Sequence, residues 1–394
     1  MKILEINKYN YPKGGAERHF LDLRSLLESK GNEVAVFSMA NSKNEYSPWN
    51  KYFVSYVGYN KDDSNLIQKM IGVCRIFYSF EAKRKIRKLL NDFQPDIVHI
   101  HNIYHQLSFS IISEIKRKNI PIIMTVHDYH LISPDKDEFF KSIGKEYWRF
   151  LFQKKYSFFK RLILVAKSYW EDYLGWKNKI DFFISPSQFV SEKLQKWGIA
   201  KEKIVVMPHF ISDNFLEVSS KKDLLENYAF YFGRISKEKG VPELLETFKD
   251  LKNIKLFLAG EIEDDTEIIS SENIRHLGKL NKEEVKEYII NSKFCVSFSK
   301  LPETFGLTAL ESIALGKPFL GLNAGAYKEI IEQGKTGFIC ENAEEARVKI
   351  LEIISGKTVF NEGKIAYLAK EKFGQEQYYK KFLTFSSKNA TIAG

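Results

Sequence analysis

The residues best suited to chemistry lie in one stretch, Leu301–Pro318, where two glutamates flank a turn. Glu303 precedes the pair Phe305–Gly306, and Glu311 follows it. From Leu307 onward apolar residues recur at helical spacing, and a glycine and a proline are placed where they would end a helix. Backbone N–H groups at a helix start favour a phosphate, while a nearby carboxylate can accept hydrogen bonds from sugar hydroxyls. The stretch therefore indicates a sugar-nucleotide site, although two glutamates at this spacing also occur as a helix-dipole partner and a solvated loop residue.

A second motif, Gly233–Gly240, carries two cations at the start of a predicted helix, Val241–Phe248. Arg234 offers a planar fork to two phosphate oxygens, and Lys239 offers a point charge. Because a predicted strand ends at Gly233, the motif has the strand–turn–helix context of a phosphate site. Together the two cations could neutralise a leaving diphosphate without a metal ion.

Histidines follow two predicted strands of the N-terminal half. His101 comes after the strand Asp96–Ile100, and His127 ends the strand Ile120–Val126. The carboxyl ends of strands in an open α/β sheet are where ligands bind, so both histidines are candidate site residues. Their spacing matches no metal-ligand pattern, and we predict no metal there.

Asp135 and Asp137 form a D-x-D pair, the arrangement in which carboxylates hold a divalent cation and a nucleotide diphosphate. The pair stands in a polar segment and does not directly follow a strand. We therefore expect a surface loop here and no metal cofactor.

Composition places the chain among ordinary globular proteins. It has 394 residues, of which 44% are hydrophobic and 28% charged, enough for two or three domains. No apolar run approaches the roughly 18–20 residues of a membrane-spanning helix, and the N-terminus lacks the features of a signal peptide. Three cysteines, an odd number, indicate no disulfide framework. We expect a cytoplasmic protein.

Charge is unevenly distributed along the chain. Residues 1–207 carry 34 Lys and Arg against 22 Asp and Glu, whereas residues 208–394 carry 26 against 28. Within the basic half, Tyr147–Trp170 holds six cations among aromatic and aliphatic residues and no acid. This composition is typical of a helix lying on an anionic membrane surface, although a helix packed on the domain would also fit. No nucleic-acid-binding module is present in the sequence, so we predict no nucleic-acid partner.

The order of predicted elements indicates an α/β fold with doubly wound sheets. A strand at Lys2–Ile6, a glycine-containing loop, a helix at Glu17–Ser29 and a strand at Val34–Ser38 open the first domain. A second such series begins at Tyr228. We expect an N-terminal domain at 1–207 and a C-terminal domain at 208–374, with a terminal helix at about 375–394.

With these motifs in place, the chain resembles the retaining GT-B glycosyltransferases of family 4 over nearly its whole length. The resemblance implies two Rossmann-like, doubly wound domains facing across a cleft, the first for the acceptor and the second for the nucleotide sugar. It also implies that the terminal helix crosses back onto the N-terminal domain.

The resemblance assigns roles to particular residues. It implies that Glu303, His127, Arg234 and Lys239 take part in catalysis and that His101 lies on the acceptor side. The donor would be bound by Gly15, Arg234, Lys239, Gly278, Glu303, Phe305, Gly306, Leu307 and Glu311.

The implied reaction is transfer of a sugar from a nucleotide diphosphate sugar, such as a UDP- or GDP-sugar, to a glycan or lipid-linked acceptor. Configuration would be retained, and no metal or other cofactor would be needed. Thr304 stands where the family more often has glycine, and Ala324–Ala326 replaces a glycine-rich turn, which leaves the donor sugar open. Two alternatives remain at this point: a sugar-nucleotide epimerase of the same fold, and a non-catalytic nucleotide-sugar binding protein.

Overall fold

The computed structural model describes residues 1–57, 66–134, 146–153, 156–217, 227–263, 266–268 and 271–392. The chain forms two compact units. The first comprises Met1–Pro186, Val190–Met207 and Tyr379–Gly394, and the second comprises Ser187–Phe189 and Pro208–Tyr378.

The first unit contains a parallel six-stranded sheet in the order β2-β1-β3-β4-β5-β6. The sheet therefore reverses its strand order between β1 and β3, which lie side by side. The strands are β1 (Lys2–Ile6), β2 (Glu33–Phe37), β3 (Ile97–Ile100), β4 (Ile122–Thr125), β5 (Phe182–Ser185) and β6 (Ile204–Val206).

The second unit contains a parallel six-stranded sheet in the order β12-β11-β10-β7-β8-β9. This is the order of a doubly wound dinucleotide-binding sheet, with its reversal between β7 and β10. The strands are β7 (Tyr228–Phe232), β8 (Lys255–Ala259), β9 (Ile274–His276), β10 (Phe294–Ser297), β11 (Phe319–Leu322) and β12 (Gly337–Cys340).

Helices connect the strands of both sheets. In chain order the α-helices are α1 (Gly15–Ser29), α2 (Leu66–Phe77), α3 (Phe80–Phe93), α4 (Ile112–Arg117), α5 (Phe158–Tyr173), α6 (Gln188–Trp197), α7 (Asp213–Leu216), α8 (Val241–Phe248), α9 (Lys282–Asn291), α10 (Leu307–Ala314), α11 (Tyr327–Ile330), α12 (Ala343–Ile354), α13 (Glu362–Phe373) and α14 (Gln375–Ile392). Among the residues that the structure describes, no helix is both long and apolar enough to cross a membrane.

Burial on both faces explains why the central strands are almost wholly apolar. In β7, Tyr228 and Phe230 pack into one hydrophobic cluster, while Ala229 and Tyr231 pack into another. Successive residues of a strand point to opposite faces, so each face of this sheet has its own core. The predicted α/β fold with two doubly wound sheets is confirmed.

Two predicted helices differ from those observed. The sequence pattern predicts a single helix from residue 62 to residue 91. Within the described part of that range the structure has two helices, α2 and α3, because the hydroxyl of Ser79 accepts a hydrogen bond from the N–H of Ala82 at 3.2 Å and starts a new helix. The segment Tyr147–Trp170 is likewise not one helix. It begins as a 3₁₀ helix over Tyr147–Phe152, and α5 starts only at Phe158.

The last helix, predicted at about 375–394, runs from Gln375 to Ile392. From Tyr379 onward its residues belong to the first unit. Phe382 packs against the ring of His99 with centroids 5.3 Å apart, and Phe385 packs against Phe182 at 5.1 Å. These contacts fix the helix to strands β3 and β5.

Candidate functional site

The cationic motif of the second unit lies at the reversal of its sheet. The turn Gly233–Gly240 follows β7, and the segment carrying Glu303 follows the neighbouring strand β10. The carboxyl ends of strands at such a reversal form the crevice in which open α/β sheets bind ligands.

Two ion pairs occupy this position. Lys239 Nζ lies 2.5 Å from Glu303 Oε1, with the two side chains 20% and 18% exposed. Arg234 Nη1 lies 2.8 Å from Glu263 Oε2, with 35% and 43% exposed. The structure thus brings the predicted residues Lys239 and Glu303 together, and it pairs Arg234 with a glutamate that sequence reasoning had missed. All four side chains are partly exposed.

The backbone of Glu303 is held in place by the turn Ala324–Ala326. The N–H of Ala326 donates to the carbonyl of Glu303 at 3.0 Å, and the N–H of Glu303 donates to the carbonyl of Ala324 at 3.4 Å. Gly325 has φ +65°, and a Cβ there would lie 2.3 Å from the Glu303 carbonyl oxygen. The segment that departs from the family pattern is therefore the one that positions Glu303.

The remaining predicted donor residues surround the start of α10 or lie on adjacent loops. Phe305 is buried, with its ring centroid 5.1 Å from that of His209. Gly306 is the N-cap of α10, which has no side-chain cap, and Leu307 is its first residue. Glu311 is buried on this helix. Gly278 follows β9, and its carbonyl accepts a hydrogen bond from the N–H of Gly260 at 2.8 Å. Gly15 lies in the first unit, where it begins α1.

The predicted histidines of the first unit belong to a buried hydrogen-bonded cluster. Glu5 faces His99 directly across strands β1 and β3. Glu5 Oε1 lies 3.0 Å from His99 Nδ1, and Glu5 Oε2 lies 2.8 Å from His101 Nε2. His101 Nδ1 then lies 2.8 Å from His127 Nε2, and His99 Nε2 lies 2.8 Å from Thr125 Oγ1. We call these five residues the histidine cluster.

Sequence reasoning found two members of this cluster and missed the other three. The available signal was Glu5, an acidic residue between the apolar residues Leu4 and Ile6 of the first strand, because a buried carboxylate requires hydrogen-bond donors. His99 shares a face of its strand with His101, which is two residues further along.

Burial and hydrogen bonding set the protonation of the cluster. Burial alone would raise the pKa of Glu5, but the neighbouring His99 and the hydrogen bonds from His101 and His99 lower that pKa to about 2. Burial, reinforced by His99, lowers the pKa of His101 to about 4 despite its contact with Glu5. At neutral pH the cluster therefore holds an ionised carboxylate and a neutral His101.

Glu5, His99 and His101 also form a group whose candidate ligand atoms all lie within 4.8 Å of one another. Such a group is chemically capable of holding a divalent metal. The other acidic pair considered from the sequence, Asp135 and Asp137, lies outside the described residues.

Comparison with known families and proteins agrees with this geometry. The pattern of the family described as Glycosyl transferases group 1 matches residues 213–369, and that of Glycosyltransferase Family 4 matches residues 13–215. The alpha-monoglucosyldiacylglycerol synthase of Acholeplasma laidlawii is 23% identical over 392 residues, covering 93% of this chain and 91% of that protein. An uncharacterized 42.6 kDa protein from the cps region of Klebsiella pneumoniae is 25% identical over 357 residues, covering 84% and 87% of the two chains.

Solved structures show the same architecture. HepE of Anabaena, solved in complex with UDP and glucose, superimposes with a TM-score of 0.65 at 15% identity, covering 98% of this chain and 99% of that one. The two sheets, their strand orders and the two family patterns agree, and the chain belongs to the group 1 glycosyltransferases of family 4, with the GT-B fold.

Proposed function

We propose that the protein is a retaining glycosyltransferase that takes a sugar from a nucleoside diphosphate donor without a metal ion. The observation that carries this proposal is the Lys239–Glu303 pair, joined at 2.5 Å beside Arg234 where β7 and β10 end. Two cations and a carboxylate at this point offer one contact for the leaving diphosphate and another for the sugar.

The roles follow from the chemistry of each group. Arg234 and Lys239 stabilise the diphosphate as negative charge develops on it, which is where fixed charges lower the barrier most. Glu303 accepts hydrogen bonds from hydroxyls of the donor sugar, and Glu311 from those of the ribose. His127 contacts the transferred sugar.

A nucleoside diphosphate sugar is the donor class that best fits these cations. HepE, which shares the fold, binds UDP and glucose. We propose a UDP-sugar as the first donor to test, with GDP-sugars next.

Retention would follow from attack on the same face from which the diphosphate departs. Glu303 lies beside one of the two cations, and its charge is engaged by Lys239. We therefore assign it to hydrogen bonding and assign no covalent nucleophile.

A lipid-linked acceptor at the cytoplasmic face of a membrane fits the outer face of α5. Phe158, Leu162, Tyr169 and Tyr173 recur along the helix at steps of one or two turns, and all four are exposed. Exposed aromatic side chains on a helix of a strongly basic unit are typical of an interfacial contact with anionic lipid. The Acholeplasma laidlawii relative is named for a glucosylated diacylglycerol product, which supports an acceptor of this kind.

Not every cation of this segment is available for such a contact. Lys167 is buried and pairs with Glu171 at 3.0 Å. The guanidinium of Arg161 donates to the carbonyls of Leu151 and Gln153, each at 2.5 Å, and ties the 3₁₀ helix to α5. Lys154 and Lys155 lie outside the described residues. The apolar face is thus the more direct element to test.

The deciding experiment incubates the protein with a panel of nucleotide sugars and candidate acceptors and measures released nucleotide and sugar product. We expect release of one nucleoside diphosphate together with a sugar product. The anomeric configuration of that product, α or β, should be the same as that of the sugar in the donor. Lys239→Ala should abolish release, whereas Lys249→Ala, at the far end of α8, should not. Release without an acceptor and with an isomerised sugar would indicate the epimerase, and binding without release would indicate a non-catalytic protein.

A further inference from the structure

We infer that Glu5 and His101 are positioning residues that hold His127 as the neutral tautomer protonated on Nε2, so that Nδ1 is its hydrogen-bond acceptor. The use of that acceptor by a sugar rests on the proposed function. The tautomer itself is a property of the protein without ligand and can be measured separately.

The direction of each hydrogen bond follows from the carboxylate at the centre of the histidine cluster. An ionised carboxylate can only accept hydrogen bonds. Glu5 Oε1 lies 3.0 Å from His99 Nδ1 and Glu5 Oε2 lies 2.8 Å from His101 Nε2, so both nitrogens must carry hydrogen.

The hydrogen bond between His101 and His127 then determines which nitrogen of His127 carries the proton. A neutral imidazole has one N–H and one bare nitrogen, so a His101 protonated on Nε2 presents a bare Nδ1. That atom lies 2.8 Å from His127 Nε2, which must therefore be the donor. On the other side of Glu5, His99 Nε2 lies 2.8 Å from the hydroxyl oxygen of Thr125. Along the chain of hydrogen bonds that ends at His127, both protons point towards Glu5.

Packing favours the observed orientation of the rings. Glu5, His99 and His101 have no solvent exposure, and His127 is buried as well. Phe20 packs edge-on against His101 with centroids 5.3 Å apart, and His19 packs against His127 at 5.5 Å. In this orientation Glu5 sets the directions of the hydrogen bonds that lead to His127.

This arrangement has a chemical consequence for recognition. A bare Nδ1 accepts a hydrogen bond from a sugar hydroxyl, but it cannot donate one to a carbonyl or ether oxygen at the same place. Glu5 reaches the substrate only through two imidazoles, and so acts on specificity without touching the sugar.

The test is the nitrogen spectrum of the wild-type protein. Two-bond ¹H–¹⁵N correlation of uniformly ¹⁵N-labelled protein at pH 7 distinguishes the two neutral tautomers from each other and from the imidazolium. His127 should give the pattern of the tautomer protonated on Nε2, as should His101. A His127 protonated on Nδ1, or on both nitrogens, would overturn the inference.

Metal analysis of the same sample decides against the competing use of these atoms. A zinc ion held by Glu5, His99 and His101 would require bare nitrogens where the inference places protons. Stoichiometric metal in the purified protein would therefore overturn it, and a metal-free sample with the expected spectrum would support it.

Two variants distinguish the hydrogen bonds from Glu5 through His101 to His127 from those through His99 to Thr125. His101→Leu should leave His127 as a mixture of tautomers and should lower kcat/KM about tenfold, the effect of one misdirected hydrogen bond. Thr125→Val, which removes only the hydroxyl beside His99, should leave the His127 tautomer unchanged.

An unaltered His127 spectrum in folded His101→Leu would overturn the inference, and if that variant does not fold, the wild-type spectrum still decides. Absence of turnover with every nucleotide sugar would count against the proposed function and leave the tautomer result intact.

Discussion

Arg234 lies in the turn after β7, with its guanidinium on Glu263 at 2.8 Å. Replacement by alanine removes a cation that is positioned before the donor arrives. We expect Arg234→Ala to lose about 2–4 kcal/mol of transition-state stabilisation, the range for one preorganised contact to developing charge. The measurement is kcat/KM with the nucleotide sugar that supports turnover.

Glu263→Gln is the matched control, because it weakens the same ion pair and keeps the cation. This variant should turn over at or near the wild-type rate, and both proteins should melt at similar temperatures, since half-exposed ion pairs contribute little to stability. Equal losses of kcat/KM in the two variants would assign the effect to the pair and remove Arg234 from the reaction.

At this scale the sequence predicted residues within motifs better than the contacts between them. Arg234, Lys239 and Glu303 could be found because each stands in a turn between a strand and a helix. The pairing of Lys239 with Glu303 joins residues 64 positions apart, and that of His101 with Glu5 joins residues 96 apart. Such distances in the chain are closed by the order of strands in the sheet, which no local pattern contains.

The exposed face of helix α5 is expected to contact anionic membranes. Phe158 and Phe159 are 61% and 71% exposed at its start. The double replacement Phe158→Ser and Phe159→Ser should reduce sedimentation with anionic vesicles at low salt, because apolar side chains bury into the headgroup region. High salt should reduce the binding of the wild type as well, since each cation near the leaflet contributes about 1 kcal/mol within a Debye length.

Tyr46→Ser is the control for general loss of surface aromatics, because Tyr46 is 86% exposed in the loop after β2. It should leave vesicle binding unchanged. Wild-type protein that stays in the supernatant with anionic vesicles at low salt would refute the membrane contact and favour a water-soluble acceptor.

The turn Ala324–Ala326 is expected to be needed for the position of Glu303. Gly325→Ala places a Cβ 2.3 Å from the Glu303 carbonyl oxygen and 2.6 Å from its nitrogen, so the Glu303 loop must move. Because catalytic groups tolerate little displacement, we expect kcat/KM to fall about a hundredfold.

Gly334→Ala is the matched control for Gly325→Ala. Gly334 has φ +72°, close to the +65° of Gly325, but a Cβ there meets nothing within 4 Å. Both variants therefore carry the cost of a left-handed backbone, and only one displaces Glu303. Similar activities for the two would show that the turn does not position this glutamate.

Helices and strands were predictable where a local pattern decides them. Val241–Phe248 has the predicted bounds, since apolar spacing and a preceding glycine mark it. The division between α2 and α3 was not predicted, because a single capping serine competes with a continuous helical pattern. The strands β11 and β12 were also missed.

For the whole molecule, the alternation of strands and helices was sufficient to predict two parallel sheets. It could not show where each sheet reverses its strand order, because the reversal depends on which strands become neighbours after each crossover. The observed orders place the first reversal at Glu5 and His99 and the second at the turns carrying Arg234 and Glu303.

Metal independence is a prediction about the complete enzyme. Arg234 and Lys239 supply positive charge where other transferases use a cation, so turnover should survive an excess of EDTA. Asp135→Ala should have almost no effect on activity. Loss of turnover on chelation, with recovery on adding manganese, would contradict both expectations and favour a cation at the D-x-D pair.

The two ion pairs Lys239–Glu303 and Arg234–Glu263 place two cations and two carboxylates at the proposed donor site. In the proposed mode of donor binding, each phosphate group exchanges places with a carboxylate, and when Lys239 turns to the diphosphate, Glu303 is released to meet the sugar. Binding of the diphosphate and binding of the sugar are then thermodynamically coupled, because binding of the diphosphate frees Glu303 to contact the sugar. Calorimetry should find that free UDP increases the affinity for the free sugar, and Lys239→Met should remove that cooperativity. Independent binding of the two fragments would show that the carboxylate is already available to the sugar.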